Sequence, residues 1–244
     1  MTSSTKEISN AFENELLTAN KEFKIRKTEL FVTIAALVVG ITLFCFRLID
    51  LISLSIILFG ALWNFFTDSN KLFACIMSFF MCVAYGFLAG AIKVYGHAFL
   101  HIMFYLPTQL IYYYESQKSE SNAVRYDKRL SKVGYICTVV AFWFVAFGLG
   151  IVLFKIGDPY YIVDALSSTL LIVSVFLVNG KYREYYFVRL VALAGAILAW
   201  LYIAIKLNFG GNTLTFILLF VMYLVMDIIE YIRWKKNEPK EMAK

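Results

Sequence analysis

Long apolar runs separated by short polar breaks dominate the chain, at residues 30–46, 48–66, 72–94, 98–114, 134–154, 160–178, 185–205 and 214–232. Each comes close to the ~20 residues that a helix rising 1.5 Å per residue needs to cross a hydrocarbon core. The pattern predicts an all-α polytopic membrane protein with eight transmembrane helices. Residues 1–28 read differently. Lys6, Lys21, Lys24, Arg26 and Lys27 mix with acids, while Phe12, Leu16, Leu17 and Phe23 recur at rough helical spacing. Such a segment is expected to lie as a cytoplasmic amphipathic helix on the membrane surface or on neighbouring loops. The expected organisation is then a transmembrane domain over 29–234 and a cytoplasmic tail over 235–244.

Composition supports this class. Hydrophobic residues make up 61% and charged residues 16% of the 244 positions, which leaves too little polar surface for a soluble fold. The net charge of +6 sits between the apolar runs and at the ends, so it reads as a topology signal and not as a nucleic-acid surface. With eight helices, Arg47, Lys93, Lys155 and Lys206 fall on one side and Arg189 inside a helix. The remainder of the 23 lysines and arginines share the other side with both termini. Basic residues concentrate in the cytoplasm, which places both termini there. No cleavable signal peptide is expected, because the first 28 residues are polar and mixed in charge. Cys45, Cys75, Cys82 and Cys137 all lie in apolar runs without a CxxC or zinc-like spacing, and buried thiols are expected.

The fourth and eighth runs end alike, YLPTQLIYYYE from Tyr105 and YLVMDIIEYIR from Tyr223, so Gln109 meets Asp227 and Tyr113 meets Tyr231. Each closes a triplet of helices, and triplets offset by four helices share one orientation. The reading is a parallel 3+1+3 plan with repeat one over 48–114, a linker helix over 134–154, repeat two over 160–233, and an extra first helix.

Polar residues inside apolar runs are the candidate chemistry. Asp164 opens the sixth run with Ser167, Ser168 and Thr169, and an ionised carboxylate at bilayer depth needs a partner, a wet cavity or the interface. Gln109 can donate and accept at once, for a ligand or for a neighbouring helix, and Pro107 frees a carbonyl and can kink its helix. Arg189 and Asp227 lie at equal depth from the cytoplasmic ends of their helices. That predicts an ion pair locking the bundle, or a site for a carboxylate or phosphate. Trp63, Asn64 and Tyr112 complete the candidate ligand-facing set on helices two and four. His97 and His101 stand one turn apart with no third ligand and are expected at the interface, not on a metal. No GxSxG, P-loop or other catalytic signature is present, and no cofactor is expected.

The stretches FYLPTQLIYYY, DALSSTLL, KYRE and the YxxxD ending of the last run resemble the PnuC-type nicotinamide riboside transporters over about residues 49–234. That resemblance implies a fold similar to the SWEET sugar transporters. It implies facilitated diffusion of a vitamin precursor across the cell membrane, trapping by a cytoplasmic kinase, and a homotrimer. Members of the wider group are assigned to thiamine, riboflavin or deoxynucleosides. The family's W-x-x-W, whose indoles flank the substrate ring, falls here on Tyr186 and Arg189. Its following asparagine falls on Leu193, its helix-six glutamine on Val175, and its glycine after the first glutamine on Tyr112. The rival classes are a membrane enzyme built on His97, His101 and Asp164, and an ion channel, for which no filter-like loop is present.

Overall fold

A computed structural model describes residues 27–67, 71–118 and 128–241. The predicted surface helix over 1–28 lies almost wholly outside the described residues. The helices are α1 (Lys27–Cys45), α2 (Leu51–Phe66), α3 (Lys71–Ala91), α4, α5 (Lys132–Lys155), α6 (Tyr161–Asn179), α7 (Tyr185–Lys206) and α8 (Gly211–Glu241). α4 is one rod in three parts: α-helix over Tyr95–Leu100, a π-helical turn over His101–Tyr105, and α-helix over Leu106–Lys118. Each apolar run is mostly taken up by a helix, with the ends of some runs, such as 48–50 and 92–94, in the turns, and among the described residues the sole β pairing is an isolated bridge between Lys128 and Tyr182. Five spans, Lys71–Ala91, Lys132–Lys155, Tyr161–Asn179, Tyr185–Lys206 and Asn212–Lys235, are long and apolar enough to cross a membrane. The apolar parts of α1 and α2 are shorter, and polar residues interrupt α4. α8 runs past its apolar stretch to Glu241, into the predicted tail.

Local chemistry sets where the rods begin and end. Asp50 accepts from the Ser53 amide at 2.7 Å to start α2, and Ser131 accepts from the Gly134 amide at 3.0 Å to start α5. Five helices stop with a residue in the left-handed region: Arg47, Lys93, Gly157, Lys181 and Asn208. After each, an amide reaches back five residues, Leu48 to Leu43, Val94 to Ala89, Asp158 to Leu153, Tyr182 to Leu177 and Phe209 to Ala204. This is the Schellman closure, which usually takes glycine. Here four of the five positions carry Arg, Lys or Asn, so these stops lack the glycine that marks such ends in a sequence.

Consecutive rods are neighbours within α1–α4 and within α5–α8. α2, α3 and α4 pack in succession, as do α5, α6, α7 and α8, while the first turns of α4 rest on α6 and α8 packs back on α1 and α2. The shared core is aromatic: Tyr85, Trp200, Phe216 and Phe220 are buried with Ile56, Leu100, Leu171 and Leu193. α5 contributes least to it, turning Trp143, Phe144 and Phe147 outward. Two expectations need correction. Cys45 and Cys137 face out of the bundle, and Cys75 is half-buried, so of the four thiols Cys82 alone is buried. His97 and His101 are 0% and 2% exposed, core residues and not interfacial ones, because each Nδ1 finds an acceptor inside the bundle and the rings pack against aromatic neighbours.

Candidate functional site

The polar chemistry gathers where α4 crosses α6. Asp164 is fully buried, and four donors converge on its carboxylate. Oδ2 accepts from the Gly96 amide at 2.6 Å, and Oδ1 from the His97 amide at 2.9 Å, the His97 Nδ1–H at 2.6 Å and the Ser168 hydroxyl at 3.0 Å. The carboxylate therefore caps the start of α4, where free amides and the helix dipole favour negative charge. Only glycine fits at 96, since a Cβ there would lie 2.7–2.8 Å from the carboxylate atoms. Asp158, in the turn before α6, accepts from the Tyr95 amide at 3.1 Å and the Tyr160 amide at 2.6 Å. Burial, and then the adjacent Asp164, pushes the Asp158 carboxyl up to about 7.

A ladder of rings leads inward from this cap. His101 Nδ1–H donates to the His97 carbonyl at 2.9 Å, and its ring stacks on Tyr85 with centroids 3.5 Å apart. Tyr85 accepts from Trp200 Nε1 at 3.0 Å, and Trp200 stacks on Phe216. His97 Nε2, packed against the edges of Trp200 and Phe220, has no hydrogen-bond partner among the described residues.

At the next level Arg189 Nε donates to Asp227 Oδ2 at 2.9 Å, and Nη1 lies 3.5 Å from the Tyr105 hydroxyl with the guanidinium beside that ring. The π turn just before Leu106 carries Tyr105 to this place. It has a local cause in Pro107, which lacks the amide for the Met103 carbonyl and crowds it. Tyr186 stacks on Trp234 at 5.0 Å and lies near Tyr231, so a tyrosine–indole pair stands where the resemblance places an indole.

The remaining candidates are spread around this axis. Trp63 meets Tyr223 edge-on at 5.4 Å. Asn64 lies one turn from Gly60, whose missing Cβ makes room for the Tyr223 hydroxyl. Asn64 Nδ2 and that hydroxyl are buried without a partner among the described residues. Gln109 is half-buried, its carbonyl 4.0 Å from Cys75 Sγ, and the side chain of Tyr112 lies outside the described residues. Asp164 and Ser168 thus share one cluster, and Arg189 and Asp227 another. Sequence reasoning missed Tyr85, Trp200, Tyr105, Tyr223 and Trp234. One signal for Tyr105 was available in the i, i+4 series His97, His101, Tyr105, Gln109 along one helix. In the turn before α7, Glu184 Oε1 accepts from the Leu130 amide at 3.2 Å and the Tyr135 hydroxyl at 2.8 Å. Partial burial pushes the Glu184 carboxyl up, but these bonds outweigh it and hold the group below the usual range.

No curated protein sequence matches the chain. Its fold is similar to that of a solved structure described as the vitamin B3 transporter PnuC, with a TM-score of 0.68 and 20% identity. The match covers 86% of this chain and 91% of that one. The model of the family described as nicotinamide mononucleotide transporter matches residues 50–236, from the start of α2 to the end of the aromatic cluster on α8. Apolar helices that enclose buried ion pairs and stacked rings, matched over most of its length to that model, make the chain a membrane transporter of the nicotinamide mononucleotide transporter family.

Proposed function

We propose that this transporter lets nicotinamide riboside or a closely related vitamin precursor equilibrate across the cell membrane, with a cytoplasmic kinase trapping it by phosphorylation. The observation that carries the reading is the Arg189–Asp227 pair beside the Tyr186–Trp234 stack. The family's resemblance pattern puts two indoles at these places. An unpaired guanidinium would repel a cationic pyridinium, but paired with Asp227 its charge is largely cancelled and its planar face stays available for stacking. Tyr186, Trp234 and Tyr105 supply further flat walls. Gln109, Trp63 and Asn64 lie on the facing helices to read hydroxyls or an amide, with Tyr112 on the same helix as Gln109. Asp164 and Ser168 act at the outer end of the path.

The reading includes eight crossings, with both termini cytoplasmic. α2–α4 and α6–α8 form the two parallel repeats, α5 is the inverting linker and α1 the extra helix. The packing of α2 on α3 on α4, and of α6 on α7 on α8, supports this plan. The resemblance adds a homotrimer. The test is uptake of labelled nicotinamide riboside by liposomes holding the purified protein, together with ligand-induced thermal shifts for nicotinamide riboside, thiamine, riboflavin and a deoxynucleoside. The expected result is equilibration of unmodified nicotinamide riboside and the largest shift with it. A larger shift with another member of the panel reassigns the substrate, and a chemically altered product removes the facilitator reading.

A further inference from the structure

The rings and carboxylates at the outer end do more than pack, because they join the two halves of the molecule to each other. Gly96, His97 and Tyr85 belong to the α2–α4 half, and Asp164, Ser168 and Trp200 to the α6–α8 half. Every one of these bonds therefore crosses the bundle: Gly96 and His97 amides to Asp164, His97 Nδ1–H to Asp164, and Trp200 Nε1–H to Tyr85. Two more crossings lie at the same end, from the Ser53 hydroxyl to Asn212 Oδ1 at 3.1 Å and from the Tyr95 amide to Asp158 at 3.1 Å. Tyr85, His97, Asp164, Ser168 and Trp200 are each 0% exposed. No ligand from outside can reach Tyr105 and Arg189 along this axis while those contacts hold.

We propose that the His97–Asp164 and Tyr85–Trp200 pairs are the outer gate of this transporter, closed in the present structure and parted when the site loads from outside. The gate rests on the proposed two-half plan and orientation. Its chemistry suits repeated opening. A carboxylate held by four short donors closes to one geometry, and water can satisfy the same groups once they separate. The His97 ring meets Trp200 and Phe220 edge-on, and its Nε2 has no hydrogen-bond partner among the described residues, so water entering between the halves would find a polar atom there. His101, stacked on Tyr85 and bonded to the His97 carbonyl, ties the two pairs together, so that they part as one element.

Cys82 provides the readout. It is a buried native thiol one turn from Tyr85 on α3, on the cytoplasmic side of the gate in the proposed orientation. With Cys45, Cys75 and Cys137 changed to serine, intact cells are treated with a membrane-impermeant methanethiosulfonate and labelling of Cys82 is followed in time. Tyr85→Phe removes one cross-bundle bond and is expected to raise the external labelling rate about fivefold, what losing one ordinary buried hydrogen bond does to a two-state population. Asp164→Asn, which weakens several charge-assisted bonds together, is expected to raise it further. Monodispersity in detergent and a cooperative melt within a few degrees of the wild type for Tyr85→Phe separate gating from misfolding. An unchanged external rate in a folded Tyr85→Phe protein would overturn the gate, as would a rise seen only with reagent confined to the cytoplasm. Labelling needs no substrate, so a wrong substrate assignment shows in uptake alone. A C-terminal tag probed in the same cells reports orientation separately.

Discussion

Removing the Arg189 guanidinium leaves Asp227 buried without its partner. Breaking a buried pair from one side costs on the order of 3–5 kcal/mol. Arg189→Ala is expected to lose stability on that scale, with Arg189→Ala/Asp227→Ala recovering most of it. Strictly additive losses in the double-mutant cycle, read by thermal unfolding in detergent, would show that the 2.9 Å contact carries no coupling. Gly96→Ala probes the other cluster. Its Cβ would press on the Asp164 carboxylate, and overpacking of this kind costs about 1–3 kcal/mol. Wild-type melting of that variant would mean that α4 can shift freely against α6. These two sites were unequally legible in the chain. Arg189 and Asp227 could be matched by depth, since both positions are counted from helix ends at a fixed rise. Asp164 advertised its need for a partner, but the partner, 67 positions back at His97, depends on the register of α4 against α6. No local pattern encodes that register, so the histidines read as interfacial.

Elements were legible where apolar periodicity was long and obscure where their ends used unusual residues. The apolar runs anticipated an all-helical fold, because burial of apolar side chains and internal hydrogen bonding leave helices as the spanning form. The stops at Arg47, Lys93 and Lys181 were invisible. Basic residues in the left-handed conformation are uncommon, though at a membrane surface their side chains can reach toward water. Pro107 did announce a distortion of α4, and the π turn over His101–Tyr105 is its form. Pro107→Ala restores the missing amide, and hydrogen exchange across residues 101–107 is expected to slow. Unchanged exchange would remove the proline as the cause. The turn that joins α5 to α6 predicts a pH effect. The Asp158 carboxyl has an ordinary value of 3.8 and is raised to about 7 in the folded protein. A group raised on folding favours the folded state below its unfolded value, and that contribution is lost as pH rises through the folded one. Melting temperature is therefore expected to fall between about pH 4 and about pH 7, with Asp158→Asn flattening the trend. Parallel pH profiles for the two proteins would assign the effect elsewhere.

At the scale of the whole molecule, charge and contacts make independent statements about sidedness. The charge argument places residues 116–131 and 181–184 with the termini. In the fold those two stretches touch: the Arg183 amide donates to the Lys128 carbonyl at 2.9 Å, the Lys128 amide to the Lys181 carbonyl at 3.2 Å, and Glu184 accepts from Leu130. Chain segments that share hydrogen bonds lie at one face of the bundle, so an even number of crossings separates them. The opposite face is tied in the same way. Ser53 at the start of α2 meets Asn212 at the start of α8, and Tyr95 meets Asp158. Those stretches are the ones that carry the sparse basic residues Arg47, Lys93, Lys155 and Lys206. An even separation within each set, with opposite charge density between the sets, agrees with the parity of the eight crossings proposed above. Losing any one crossing from α2 to α7 would put at least one of these contacting pairs on opposite sides of a hydrocarbon core, which no 3 Å hydrogen bond can span. Reporter domains inserted between Ser116 and Ser131, or fused after Lys244, are therefore expected to fold in the cytoplasm, and a small epitope beside Gly211 to be reached by antibody on intact cells. Protection of the Gly211 epitope until the cells are permeabilised would refute the parity, and with it the orientation assigned to the gate.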